Sequence, residues 1–394
     1  MKKTLTFLFL ITLLAGCNLE KQKIKEINFI PQDSSFYINR TVNGHLGFPD
    51  IIKLKDKRFL VIYREGKKHA DPNGRIMKQY GSKDGKKWSR MEIFYDNPLL
   101  DDRDMSLTLM KNGDIAFNYF GSIAAGDKAL PTRIFTYFGY SKDNGKSVDG
   151  SSLIQIDNNN INKEKYKENP SGYWTDDEGK QLSYQGVSSP VTLKNDKLII
   201  AAYGDIPLVK TEKNNNKKAS RIVLFTSEDK GKTWKKKQIN PDKLPNVNLQ
   251  EPFLLNIDNK KMIMHIRTQA EKKYSVKDKM MQAVSDDGGE SWSDWQAFDF
   301  VGHAPYLIKL KNGVIISAYR DFDPETFLEG AAFIYSLDTG KTWSKPIVFD
   351  TPRKDNDSSY PSIQELDNYK FLIVYYTDNG KAIKGKIYKY NCKY

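Results

Sequence analysis

The stretch "EPFLLNIDNKKMIMHI", Glu251 to Ile266, decides the fold. It reads as two short apolar strands around a polar reversal, with Asp258 and Asn259 at the turn. Five other segments share the form: PDIIKLKDKRFLVIY from Pro49, MSLTLMKNGDIAFNYF from Met105, SPVTLKNDKLIIAAY from Ser189, APYLIKLKNGVIISAY from Ala304 and YPSIQELDNYKFLIVYY from Tyr360. The residues before the turns, Leu54, Met110, Leu193, Ile257, Leu310 and Leu366, lie roughly 50 to 80 positions apart, room for four strands per unit. Six such units predict an all-β chain folded as a six-bladed β-propeller.

A second repeat follows the hairpins. SEDKGKTW (Ser227–Trp234), SDDGGESW (Ser285–Trp292) and SLDTGKTW (Ser336–Trp343) are close copies, while SKDGKKW at Ser82 is one residue shorter and SKDNGKSV at Ser141 ends in Val148. In the sixth unit only TDNGK, around Asp378, is related. Ser and Asp hydrogen-bond such a turn, Gly supplies a positive φ, and Trp packs between blades. The pattern joins strands three and four of a blade, which puts it on the bottom rim and gives it a structural role.

The first residues are of another kind. Lys2 and Lys3 precede an apolar run, Leu5 to Leu14, that is too short to span a bilayer well, and LAGC then leads to Cys17. This resembles a bacterial lipoprotein signal, which implies residues 1–17 as a signal ending at a lipidated Cys17, a tether over 18–30, and a propeller over 31–394. The expected location is the bacterial cell envelope, lipid-anchored in the outer membrane. Cys392 is the one other cysteine, so no disulfide framework exists, and no Cys and His group has metal-ligand spacing, which argues against zinc. No cofactor is expected. The net charge of +13 comes from lysines scattered over turns, which speaks for solubility or acidic glycans and against nucleic acid.

Propeller geometry then locates a site. Residues just before strand one and just after strand two gather at the top near the axis, where the fold opens into a pocket. These are Asp50, Arg64, Glu65, His69, Arg103, Asp104, Ser188, Glu251, Arg267, His303, Arg320 with Asp321, and Tyr360. The long connection 151–186 is read as joining blade three to blade four across the top, with Tyr173, Trp174 and Tyr184 available to stack on sugar rings.

From about Phe48 to Tyr390 these features resemble the sialidase superfamily, the BNR-repeat or Asp-box propeller glycosidases. The resemblance implies hydrolysis of a terminal acidic sugar, sialic acid or a relative, by a retaining mechanism. LQEPFLLNIDNKKMIMHIRT is similar to the family segment that carries a proton-accepting Glu and an arginine, which places those roles on Glu251 and Arg267. DSSYPSIQELDNYKFLIVYY looks like the segment with the nucleophile, Tyr360, and Arg320 matches a further carboxylate-binding arginine. The family's Phe-Arg-Ile-Pro motif is replaced by GFPDI, so Arg64 stands in for its guanidinium, while REGKKHAD offers Asp71 or His69 as acid and base. Substrate contacts are further expected from Arg103, Asp104, His303 and Asp50.

The chemistry agrees with the roles. A phenol of ordinary pKa near 10 attacks only if a carboxylate takes its proton, and guanidinium forks bind a carboxylate with paired, charge-assisted bonds. Two other readings use the same residues: a polysaccharide lyase that neutralises a uronate with Arg and removes a proton with Tyr or His, and a surface glycan binder without turnover.

Overall fold

The structure is a computed structural model that describes residues 24–124, 131–156, 166–168, 174–176, 184–193, 196–207, 218–240, 244, 247–270, 277–354, 357–366 and 369–394. The signal, Cys17 and Tyr173 lie outside the described residues.

The described residues contain no helix and form six antiparallel blades, as the hairpin repeat predicts. Blade one runs His45–Lys53, Phe59–Gly66, Arg75–Gly81 and Glu92–Tyr95, and blade two runs Asp101–Leu109, Ile115–Ala124, Pro131–Ser141 and Asp149–Gln155. In blade three Tyr184–Gly186 and Val191–Thr192 share the innermost place, followed by Leu198–Pro207, Lys218–Ser227 and Lys235–Gln238. Blade four is Asn248–Asn256, Met262–Gln269, Met281–Ser285 and Gln296–Ala297; blade five is Gly302–Lys309, Ile315–Asp323, Leu328–Ser336 and Ile347–Arg353.

Blade six is assembled from both ends of the chain. Ser359–Glu365, Lys370–Thr377 and Ala382–Lys393 are completed by Glu26–Pro31 and Phe36–Arg40, which pair in turn with the last strand. Glu26 faces Lys393 and Arg40 faces Ala382. The stretch read as a tether over 18–30 is therefore corrected: from Glu26 onward it is part of the ring, because a propeller closes by hydrogen-bonding its ends and so removes an open edge.

Second strands such as Phe59–Tyr63 are buried on both faces, since each blade is covered by its two neighbours, and this is why they read as unbroken apolar runs. The Asp boxes join third to fourth strands in blades one to five and press on the preceding blade. Gly231 has φ +86° and leaves no room for a Cβ, which would sit 2.2 Å from Cε1 of Phe138 in blade two. Trp234 stacks edge-on against that ring at 5.0 Å. TDNGK is different: it connects the second and third strands of blade six and so lies on the opposite face from the boxes. Blade six has no consecutive third and fourth strands to carry a box.

The connection 151–186 joins blade two to blade three, not three to four. It contains a short hairpin, Tyr166–Glu168 with Trp174–Asp176, and Tyr184 at its end is fully buried under Lys236 rather than free to stack on a ligand.

Candidate active site

Near the top of the innermost strands the ladder slips by a residue in five blades, between Gly47 and Asp50, Arg103 and Ser106, Gln250 and Phe253, His303 and Tyr306, and Ser359 and Ser362. Each bulge holds a non-glycine residue with left-handed φ: Phe48 at 56°, Asp104 at 47°, Glu251 at 47°, Ala304 at 46° and Tyr360 at 42°. Four of these precede a proline, although proline ordinarily favours an extended residue before it. Such backbone costs about 1–3 kcal/mol per residue and persists where the surroundings enforce it, often at functional sites. All five residues line one cavity of about 60 Å³ on the axis, with Asp50, Val187 and Tyr306 below them.

Glu251 is the hub of that cavity. Its Oε1 accepts the Tyr360 hydroxyl at 2.5 Å and Nη1 of Arg267 at 2.6 Å, and its Oε2 accepts the Ala304 amide at 2.9 Å. Burial alone would raise its pKa, but the charges of Arg267 and Arg320 and the bonds from Tyr360 and Ala304 hold it below the ordinary value. Burial, and then the Glu251 charge, push the Tyr360 phenol well above 10. At rest the pair is a neutral phenol beside a carboxylate. The Arg320 guanidinium lies 4.7 Å from the centre of the Tyr360 ring and reaches Glu329 at 3.6 Å.

Asp104 faces the same cavity from blade two. Burial pushes its pKa to about 7 despite the opposing charge of Arg103, and its Oδ1 is buried without a hydrogen-bond partner. The three titratable bulge residues Asp104, Glu251 and Tyr360 thus come from blades two, four and six. Arg103 packs over Phe48, 5.0 Å from its ring centre, with Nη1 3.5 Å from Asp101. The Arg103, Arg267 and Arg320 side chains are 10%, 11% and 11% exposed, so each is largely buried but not sealed from solvent. His303 stacks on Phe322 at 5.1 Å, and burial, with the charges of Arg267 and Arg320, drives its pKa well below 6.5.

Three expected site residues are placed otherwise. Arg64 is fully buried, its Nε donating to Asp101 at 2.6 Å and its Nη1 to the Lys68 carbonyl at 3.0 Å. It holds a loop between blades, so the guanidinium expected to reach a ligand from this position is instead buried against Asp101. Asp71 accepts the amides of Lys67 at 2.5 Å and Asn73 at 3.0 Å, so its carboxylate closes its own loop instead of facing the cavity. Asp50 lines the cavity floor, but its oxygens are taken by Leu107 N at 2.6 Å, Ile51 N at 2.8 Å and Ser362 Oγ at 2.7 Å, which tie blades six, one and two together. Burial raises its pKa to about 6.

His69 stays at the rim, with its Nδ1 2.9 Å from Asp357. Phe48, Glu329, Tyr376 and Asp357 were absent from the expected set. Phe48 had a signal, since it precedes a proline at the same offset as Glu251 and Tyr360.

We expect Arg64→Met to leave Asp101 buried without its main counter-charge and to lower stability by about 3–5 kcal/mol. Denaturant unfolding checks this, and the change belongs to the unfolding midpoint rather than to ligand affinity.

Six blades with Asp boxes on the turns between third and fourth strands define a six-bladed β-propeller of the Asp-box type. Residues 170–373, just over half of the chain, match the family described as "BNR repeat-like domain", and the chain belongs to that family. No curated protein matches it. Among solved structures it is similar to a protein of unknown function from Dyadobacter fermentans, with a TM-score of 0.71 and 20% identity over 93% of this chain and 100% of that one. It is also similar to the GH93 α-L-arabinofuranosidase of Fusarium graminearum in complex with arabinobiose (TM-score 0.59, 16% identity, 90% and 97% covered). A third likeness is to the α-L-arabinanase of Penicillium chrysogenum (TM-score 0.56, 12% identity, 91% and 98% covered). At these identities the likeness speaks for the fold.

Proposed function

We propose that the axial pocket is the active site of a retaining exo-glycosidase that removes a terminal acidic sugar from a glycan. The observation that carries this reading is the 2.5 Å bond from the Tyr360 hydroxyl to Glu251, set among Arg103, Arg267 and Arg320. Tyr360 Oη attacks the anomeric carbon while its proton passes to Glu251. Asp104, which burial keeps partly protonated near neutrality, gives its proton to the departing oxygen. The resulting Asp104 carboxylate then takes a proton from water, which cleaves the Tyr360–sugar bond, and Glu251 returns the phenolic proton. A neutral phenol is the nucleophile that an anionic sugar repels least. With an anchor at Cys17, the enzyme would work on glycans in the cell envelope.

A second reading rests on one observation: each rim arginine already has a carboxylate, Arg267 with Glu251, Arg320 with Glu329 and Arg103 with Asp101. That compensation favours an uncharged glycoside, and the GH93 enzyme named above acts on one such class, arabinofuranosides.

The test is a panel of chromogenic sialosides, uronides and α-L-arabinofuranosides, together with uronate polymers followed in the ultraviolet. Release from an acidic glycoside, with the first product keeping its anomeric configuration, is the expected result. Release from arabinofuranosides alone replaces the acidic sugar by a neutral one. An unsaturated, ultraviolet-absorbing product, or no product at all, overturns the hydrolase in favour of a lyase or a binder.

A further inference from the structure

Beside the pocket, at the seam where blade six meets blade one, three side chains converge. His45 begins the inner strand of blade one, His69 lies in the loop after its second strand, and Asp357 precedes the inner strand of blade six. His45 Nε2 is 2.7 Å from Asp357 Oδ2, and His69 Nδ1 is 2.9 Å from both Asp357 oxygens. One ligand-type atom from each residue falls within 4.8 Å of the others.

The surroundings hold this group in place. The Tyr376 hydroxyl donates to Asp357 Oδ1 at 2.7 Å, fixing the carboxylate from behind. His45 is clasped between two glycines: a Cβ on Gly47 would lie 2.8 Å from its Cε1, and one on Gly380, at φ +70°, only 2.2 Å from its Cδ2. TDNGK, which resembles a degenerate Asp box in the sequence, thus has a local purpose in blade six. The His69 side chain is 48% exposed, so the cluster is open to solvent on one side.

We propose that His45, His69 and Asp357 form a binding site for one divalent transition-metal ion, zinc by the nature of its ligands. Two imidazole nitrogens and one carboxylate oxygen are a donor set that suits zinc, and three protein ligands leave a fourth position for water or a substrate oxygen. Zinc sits about 2.0–2.2 Å from such atoms, so entry of the ion parts the present N···O pairs by about half an ångström. The half-exposed His69 provides that freedom. Tyr376 acts behind Asp357 as an orienting partner. The ion clamps blade six to blade one across the seam between them. Through Tyr376 and Phe48, whose rings lie 5.9 Å and 5.1 Å from that of Tyr360, it also steadies the wall of the sugar pocket. The inference stands whether or not the pocket hydrolyses a glycoside.

The test uses the untagged protein, freed of metal with a chelator and titrated calorimetrically with zinc chloride. One equivalent is expected to bind, with a rise of a few degrees in melting temperature at saturation. Cobalt(II) should give the visible absorption of a low-coordinate site. In His69→Ala, and separately in Asp357→Asn, zinc affinity should fall by about 100-fold or more. His69→Ala should keep the metal-free melting temperature, because the residue is half exposed, which separates ligand loss from misfolding. No saturable binding, or equal binding in His69→Ala, overturns the site.

Discussion

Tyr360→Phe will reduce glycoside turnover by about four orders of magnitude or more, with little change in KM. The hydroxyl is the one atom removed, and it is the atom whose proton Glu251 is placed to accept at 2.5 Å. The phenyl ring keeps its edge contact with Phe48 at 5.1 Å and the Arg320 guanidinium above it at 4.7 Å, so the cavity wall survives. Glu251 retains Arg267 and the Ala304 amide, and the lost hydrogen bond costs about 1 kcal/mol of stability. Steady-state kinetics, together with mass spectrometry of protein quenched with a slow substrate, read the outcome. Wild type should carry a glycosyl group on Tyr360 and the variant none. Turnover within tenfold of wild type would remove Tyr360 from the chemistry and leave water as the attacking group.

The sequence made visible whatever is local. Hairpins and Asp boxes are short segments whose turns and apolar runs need no distant partner, and the bulge residues Glu251 and Tyr360 are marked by the proline after each. Arg64 shows where this stops. It pairs with Gly47 in the ladder, the same place that Arg267 holds opposite Gln250 and Arg320 opposite His303, so strand position cannot tell the three apart. Asp101 of blade two makes the difference, by drawing the Arg64 guanidinium 2.6 Å from its carboxylate and into the interior. The closing strand Glu26–Pro31 was hidden for a related reason, since it has no hairpin partner adjacent in the chain. The cluster of His45, His69 and Asp357 joins residues 312 and 288 positions apart, which no motif spacing encodes.

Glu251→Gln is expected to lower kcat/KM by about three orders of magnitude and to change the shape of its pH profile. An amide cannot take the phenolic proton, and it also leaves Arg267 and Arg320 with less counter-charge. In wild type the carboxylate is held below the ordinary value by those arginines and by the bonds from Tyr360 and Ala304, so it remains a base well into the acid range. Activity should therefore persist as pH falls and be lost only below the usual glutamate pKa; the variant should show no such acid limb. Stability follows the same sign. A depressed folded-state pKa contributes stability above the unfolded pKa and loses it as pH drops through the folded one, so wild type and Glu251→Gln should converge in melting temperature at low pH. The alkaline limb has a separate origin: Asp104 loses its proton as pH rises through about 7, and the donor to the leaving oxygen goes with it. That limb should survive in Glu251→Gln and vanish in Asp104→Asn. A limb near 7 that persists in Asp104→Asn would move the acid to another group, with His69 the first to examine.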